Sequence, residues 1–540
     1  MQCTGARILP RLLGELGISA VFTVPGNHSI EVLDELRDTR MPRGVVVRQE
    51  QAAGYLADGF TRVGGGLAAV LCCAGPGVLN TMAATYTADR SGHAFLNLVT
   101  APPNNLRGWD LGFVHEFPEQ LATFRDVTAA QFRARSVEDL PRVLSAAVTL
   151  MQAARARPVI VELPFDVLGG KGYVDLDRLR AADNFGPQVP PGPAPRSVER
   201  LATALRGAER PLIIAGGGVS PSGGQCLAQF AEQLSVPVIT TLSGRGAIDE
   251  HHHLAAGFSI ELPSVRSVVA ESDCLVVLGC ALGAAATSEF TLRLPECTIQ
   301  VDVNPAALGS TYPHVERCHA DATAMLRALL DAMDPCATDA RRAWCHRVMA
   351  ARRHDLNVLR EREPMLAGCI EALSGRLPAD TILVNDITTA AYWAWHYWKV
   401  RRPDCYLYPA HAISLGYGLP AALGAAFAGK GPVVALCGDG GMGYCLSELS
   451  TAAMYNLPIV VVVINDAGYG LFRYRQQRRF GRASLVDLQS ANYADIARAH
   501  GIAGVRADLT ELPNAVERAM TSGKPSLIEV IGHFIPPFDK

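Results

Sequence analysis

Two glycine-flanked acidic turns offer the plainest chemistry in this chain. The run Ala435-Leu-Cys-Gly-Asp-Gly-Gly-Met-Gly-Tyr444 reads as a strand that ends at Gly438-Asp439-Gly440-Gly441 and gives way to a helix. Glycines let a backbone approach a ligand closely, and a helix N-terminus presents unpaired N–H groups to a phosphate. The apolar run Ile459 to Ile464 leads in the same way to Asn465-Asp466-Ala467-Gly468. One helix and one strand fit between Asp439 and Asp466, so each carboxylate falls at the carboxyl tip of a strand, where open α/β sheets bind ligands. On neighbouring strands, two hard oxygen ligands beside a phosphate-binding helix end suit Mg2+. Each Asp taken singly reads as a helix N-cap. The pair, with glycines at both turns, favours ligation.

A second reactive stretch is Arg48-Gln-Glu-Gln-Ala-Ala-Gly-Tyr-Leu-Ala-Asp-Gly-Phe-Thr-Arg62, in which Ala53, Leu56, Ala57 and Phe60 form one helical face. Glu50 opens that helix, a position the macrodipole favours for any acid. Histidines that titrate near neutrality occur in Val24-Pro-Gly-Asn-His-Ser29 and in Leu111-Gly-Phe-Val-His115-Glu116. Five arginines crowd Phe472 to Arg482, where one guanidinium fork could match a substrate carboxylate or phosphate and a solvated surface helix or subunit contact is the plainer reading for most of them. The triplet His251-His252-His253 reads as an exposed polar turn with no further metal ligand nearby. The 14 cysteines have no CxxC spacing and read as reduced core residues, which points to the cytoplasm.

The elements that position these groups repeat one grammar three times: an apolar β-branched run, a glycine-rich turn, an Ala/Leu-rich helix. Leu67–Cys73 precedes Ala74-Gly-Pro-Gly-Val, Pro211–Ala215 precedes Gly216-Gly-Gly-Val, and Val433–Cys437 precedes Gly438-Asp-Gly-Gly. Continuous apolar strands alternating with helices imply parallel sheets covered on both faces. The expected architecture is α/β, with three doubly wound, mainly parallel domains over residues 1–185, 190–335 and 360–540. A proline-dense linker from Phe185 separates the first two, and the Arg-rich stretch Asp331 to Arg362 crosses to the third as a surface helix. Of 540 residues, 49% are hydrophobic and 19% charged, which excludes a disordered or low-complexity chain. A net charge of −3 gives no bulk pull toward nucleic acid or anionic membrane. The apolar runs are too short to span a bilayer, and the N-terminus reads as an amphipathic helix and a strand, so a soluble protein is expected.

Nearly the whole chain resembles the thiamine-diphosphate enzymes of the acetolactate synthase, pyruvate decarboxylase and benzoylformate decarboxylase type. The resemblance implies that the three domains bind pyrimidine, serve as a centre, and bind diphosphate, in that order. Asp439, Asp466 and the Gly468 carbonyl would ligate Mg2+, with Gly438, Gly440 and Gly441 along the diphosphate and Thr388 and Thr389 as further contacts. Asp466 stands where many members carry Asn. Residues 48–62 resemble the RHExxAxxxAxGYAR helix, which makes Glu50 the carboxyl that activates the aminopyrimidine, with Gln49 in place of the usual histidine. Gly26 resembles the turn over the thiazolium, and Gly75–Asn80 the GPGxxN loop. Ile413 to Ala422 resembles the GxMGxGLPAA stretch, so the Ile413 carbonyl would meet the cofactor's amino group and Leu415 would wedge its two rings. Gly216–Gly218 resembles a central domain that holds FAD in some relatives; no flavin is the favoured reading.

The implied reaction is thiamine-diphosphate- and Mg2+-dependent decarboxylation of a 2-oxo acid through a C2-bound enamine, released as an aldehyde. Asn27, His28 and His115 would face the intermediate. Acetolactate synthases carry Gln at His115, Lys near Ala129 and Trp near Arg475, and Trp109–Glu116 is more similar to guanidino-oxopentanoate decarboxylases. The alternative is a carboligase that transfers the enamine to a second carbonyl, and a remote one is a non-catalytic regulatory paralogue. Partners implied are a small 2-oxo acid and a second copy sharing the site in a dimer or tetramer, with neither nucleic acid nor membrane.

Overall fold

The computed structural model describes residues 2–37, 41–181, 189–219, 223–489 and 491–538. The expected boundary at 185 and the start of the proline-dense linker lie outside the described residues. Among the described residues, three six-stranded sheets account for the strands, apart from a small antiparallel pair of Gln2–Thr4 with Lys171–Tyr173. In spatial order the first sheet is Arg43–Val46, Ile18–Thr23, Leu67–Cys72, Leu96–Ala101, Val159–Pro164 and Ala130–Arg133, all parallel. The third is Tyr406–Leu407, Ile382–Asn385, Val433–Gly438, Ile459–Asn465, Ser526–Ile531 and Ala503–Arg506, also parallel. Strands such as Ile459–Asn465 and Val159–Pro164 are buried along their whole length, as the unbroken apolar runs require.

The first and third sheets share one winding. Each begins near the middle, steps to an edge, then returns to the other side of its first strand. This leaves a crevice at the carboxyl ends of Ile18–Thr23 and Leu67–Cys72 in one, and of Ile382–Asn385 and Val433–Gly438 in the other. The central sheet runs Ala255–Phe258, Val238–Thr240, Pro211–Ala215, Cys274–Leu278, Thr298–Asp302 and Glu316–His319, the dinucleotide-fold order, with its crevice beside Gly216–Gly218. Those glycines are spent on packing. Gly218 N–H donates to Gly279 O at 2.9 Å, and a Cβ on Gly216 would sit 2.2 Å from that same carbonyl.

The third unit joins the other two. Helix Glu50–Arg62 of the first unit crosses helix Gly418–Ala428 of the third backbone to backbone. A Cβ on Gly59 would lie 2.1 Å from Ala421 O, and one on Gly424 would lie 2.0 Å from Leu56 O. One apolar core therefore runs from Phe22 and Val70 through Leu56 to Leu423 and Val461. On the other side, the buried pair Arg245–Glu250 of the central unit clasps the end of helix Thr389–Tyr397. Arg245 donates to the Ala394 and Trp398 carbonyls, and Glu250 Oε2 accepts from Val400 N–H at 2.9 Å.

The stretch read as a surface helix is one only in part. Helix Asp339–Arg360 buries Trp344 and Val348, and Arg341 is 1% exposed because its guanidinium caps the Leu205, Ala208 and Leu234 carbonyls. Its buried cation is satisfied entirely by carbonyls, which an Arg-rich sequence does not announce. Among the described residues, no helix is long and apolar enough to cross a membrane.

Because Gly59 meets backbone that cannot move aside, Gly59→Val is expected to destabilise the chain by about 3 kcal/mol. Urea denaturation curves of the two proteins, compared at equal m value, measure this. A wild-type midpoint would refute the close crossing.

Candidate active site

The crevice of the first sheet gathers most of the residues singled out from its sequence. Glu50 opens its helix behind Gln49, whose extended backbone and side-chain oxygen cap it: Gln49 Oε1 accepts from Ala52 N–H at 2.8 Å. Asn80 Nδ2 donates to Glu50 Oε2 at 3.0 Å. Gly77 leaves room for that carboxylate, since a Cβ there would lie 3.5 Å from Glu50 Oε1 and 3.4 Å from Cys73 Cβ. Gly26 lies over Cys73, with a virtual Cβ 2.0 Å from its sulfur. Gly75, at φ 60°, turns beneath the His115 carbonyl.

The two histidines meet here. His28 and His115 are edge to face with ring centroids 5.6 Å apart, and His28 also packs at 4.0 Å on Phe165. His28 Nδ1 is buried without a partner among the described residues, and burial, then His115, holds its pKa below the usual imidazole range. His115 lies exposed at φ 64° on a loop that also carries Trp109 and Val114. Asn27 is exposed on the one-turn helix Asn27–Ser29 beside His28.

The crevice of the third sheet holds the acidic pair. Gly438 caps helix Asp439–Cys445 and Tyr469 caps helix Gly470–Phe480, so neither Asp439 nor Asp466 serves as an N-cap. Gly468 N–H donates to Asp439 Oδ2 at 3.0 Å, and Tyr493 OH donates to Asp439 O at 3.0 Å. Gly468 O lies 3.9 Å from the virtual Cβ of Gly440, whose other neighbour is the Tyr469 ring. A Cβ on Gly438 would lie 3.1 Å from Thr388 Oγ1, whereas Thr389 is buried in the first turn of its helix. Burial, then the charge of Asp439, pushes the Asp466 carboxyl up to about 7; burial likewise raises Asp439. Two carboxylates, Asp439 buried and Asp466 half-buried, resist carrying adjacent charges and form a hard-oxygen donor set that a divalent cation would relieve. Arg473, one of the five arginines of Phe472 to Arg482, braces this loop. It donates to Asp466 O at 3.1 Å and Ala467 O at 2.9 Å, and pairs with Asp487 at 2.8 Å.

A residue missed from sequence ties this crevice to the stretch from Ile413. Asp386 is fully buried at the tip of Ile382–Asn385. Its carboxylate accepts from Ile387 N–H at 2.7 Å, from Gly416 N–H at 3.1 Å and from Gly418 N–H at 3.2 Å. A Cβ on Gly441 would come within 2.8 Å of it. The turn it grips carries Leu415, half-buried, and Ile413, which is exposed at φ 49°. Burial drives the Asp386 carboxyl up to about 6 against the pull of those N–H donors. Its place at a strand tip beside the switch point was the available signal.

The histidine triplet needs correction: a further ligand type is nearby. Glu232 Oε1 lies 2.9 Å from His252 Nε2, and Glu232, His252 and His253 form a cluster. Leu254 N–H donates to His252 Nδ1 at 3.2 Å, which puts the ring proton on Nε2 facing Glu232, a paired imidazole with no lone pair there for a metal. Helix Gly470–Phe480 buries no residue, in line with its reading as a surface helix. All 14 cysteines are unpaired.

Three doubly wound units, two of them with polar crevices at a switch point of the sheet, define a multidomain α/β protein of the kind that binds ligands at strand ends. Family profiles match in chain order: the thiamine pyrophosphate enzyme N-terminal TPP binding domain over residues 3–127, the central domain over 198–329, and the C-terminal TPP binding domain over 386–530. A probable 2-ketoarginine decarboxylase of Pseudomonas aeruginosa is 32% identical over 98% of this chain and 94% of its own. A probable acetolactate synthase large subunit of Methanocaldococcus jannaschii is 27% identical over 98% and 91%, and the acetolactate synthase isozyme 1 large subunit of Escherichia coli 26% over 99% and 96%. The chain belongs to the thiamine pyrophosphate enzyme family.

Asp386 predicts a pH signature. Its folded pKa exceeds the unfolded one, so the stability it contributes is full below pH 4 and is lost as pH rises through about 6. The stability advantage of wild type over Asp386→Asn should therefore shrink by about 2 kcal/mol between pH 4.5 and 6.5. Urea midpoints for both proteins between pH 4.5 and 6.5 check it; parallel profiles would contradict the buried carboxyl.

Proposed function

We propose that this chain is a Mg2+- and thiamine-diphosphate-dependent enzyme that decarboxylates a 2-oxo acid and releases the aldehyde. Asp439, Asp466 and the Gly468 carbonyl would hold the cation, and Gly438, Gly440, Gly441 and Thr388 would line the diphosphate. The bound coenzyme supplies a nucleophilic ring carbon and a cationic ring that accepts the electrons freed as carbon dioxide leaves. Glu50, oriented by Asn80, would hold a proton at the pyrimidine nitrogen, while Leu415 and the Ile413 carbonyl would hold the rings. Thr389, buried in its helix, has the weaker support as a diphosphate contact.

The observation that carries aldehyde release is the imidazole pair. His28 and His115 stand edge to face at the first crevice, one half-buried and one exposed to solvent, so that they would relay a solvent proton to the bound intermediate. A relative named as a probable decarboxylase supports the same reading. Relatives named as acetolactate synthases support the second one, transfer to another carbonyl. The central glycines, filled by Gly279, give a flavin no support. Unpaired cysteines suit a reducing cytoplasm.

A panel of 2-oxo acids, including a guanidino one, tests the reaction. Aldehyde as the main product is expected, and an acyloin or acetohydroxy acid in its place would favour the carboligase. His115→Gln should lower aldehyde release by about 100-fold or more with the cofactor still bound; unchanged release would remove His115 from proton handling.

Self-association completes the proposal. Trp109 and Val114 beside the first crevice, and Ile413 and Tyr444 beside the second, are large, apolar and exposed, as an interface between two copies would require. Sedimentation velocity should show a dimer or tetramer, and a fully active monomer would refute a shared site.

A further inference from the structure

We propose that Glu448 is a positioning residue for Glu50, holding the chain just ahead of that carboxyl from a different domain of the same polypeptide. The inference rests on the reading of Glu50 as the activating carboxyl.

Strand Arg43–Val46 is an edge of the first sheet, so one row of its N–H groups has no neighbouring strand. The alternation of backbone directions continues past the strand. Val47 N–H points inward and donates to Thr23 O at 2.9 Å. Val46 and Arg48 point outward, where the third unit answers: Tyr455 OH accepts from Val46 N–H at 2.8 Å and Glu448 Oε1 from Arg48 N–H at 3.0 Å. The Gln49 amide adds a further favourable interaction with the Glu448 carboxylate. Glu50 begins its helix at the next residue.

Glu448 is built for this task and not for solvent. It is 0% exposed, and its second oxygen is fixed by Thr451 Oγ1 at 2.6 Å. Burial raises its carboxyl, and the donors it accepts from oppose that rise. Such a buried acceptor is retained at a desolvation cost, and here its partner is the backbone amide two residues before the reactive acid. It also lies shortly after helix Asp439–Cys445, so one short stretch of the third unit carries both the acidic turn and the clamp. Deleting the carboxylate leaves the Arg48 amide unpaired and frees the entry angle of the Glu50 helix. Proton transfer at a fixed atom tolerates little of such drift.

The test uses full-length protein loaded with thiamine diphosphate and Mg2+, and follows deuterium replacing the C2 proton of the bound coenzyme by quenched flow and NMR. Coenzyme affinity is read in parallel from tryptophan fluorescence. Glu448→Ala should slow the exchange by about 10- to 100-fold while the Kd changes less than about threefold. Glu448→Gln, which keeps the shape and loses acceptor capacity, should fall between; if the alanine variant does not fold, a slowing of about threefold in Glu448→Gln supports the proposal and a wild-type rate overturns it. Exchange at the wild-type rate in Glu448→Ala, or a loss of affinity in step with the loss of rate, overturns it too. Glu50→Gln separates the two readings: if that variant exchanges at the wild-type rate, the assignment of Glu50 fails; if it is slow and the Glu448 variants are not, only the clamp fails.

Discussion

The molecule depends on two helices that touch through their backbones. Helices normally keep 8 to 10 Å between axes because side chains stand between them. At the crossing of Glu50–Arg62 with Gly418–Ala428 two glycines remove those side chains, and each helix sets its carbonyl where the other's Cβ would be. Such a crossing has little freedom to slide or rotate. It fixes the helix whose first residue is Glu50 against the helix that follows Leu415, and so sets the relation between the two sheets without a continuous loop at the site.

Polar groups at the far end of the crossing reinforce it. Asp58 is buried between units: Tyr417 OH donates to it at 2.7 Å, His93 lies at 3.2 Å and Arg62 at 3.7 Å. Burial alone would raise this carboxyl, yet His93, Arg62 and the Tyr417 hydroxyl together hold it below the ordinary range. Arg62 reaches on to the Tyr408 carbonyl at 3.2 Å. A buried carboxylate held by a tyrosine hydroxyl and flanked by a guanidinium and an imidazole specifies one docking geometry, whatever its net contribution to stability.

What the sequence made legible was local. The acidic turns, the Glu50 helix and the glycine-rich strand ends are short-range patterns, and parallel strands follow from apolar runs that need cover on both faces. Partners supplied from far along the chain were not legible. Asp386 has no neighbouring motif, and its meaning comes from Gly416 and Gly418 folding back onto a strand tip. Glu232 meets His252 because a helix brings it there, and Arg341 is buried by carbonyls that carry no side-chain signature. The edge strands Arg43–Val46 and Ala130–Arg133 escaped notice because edges need no long apolar run.

The order in which the polypeptide is made gives the glycine crossing another meaning. Leu56, Gly59 and Phe60 emerge early from the ribosome, but their cover, Gly418–Ala428, emerges only after the whole central unit. At ordinary elongation speeds the interval lasts roughly half a minute. Throughout it an apolar helix face stands bare on an otherwise finished unit, so the newborn chain is a natural client for chaperones until its last quarter arrives.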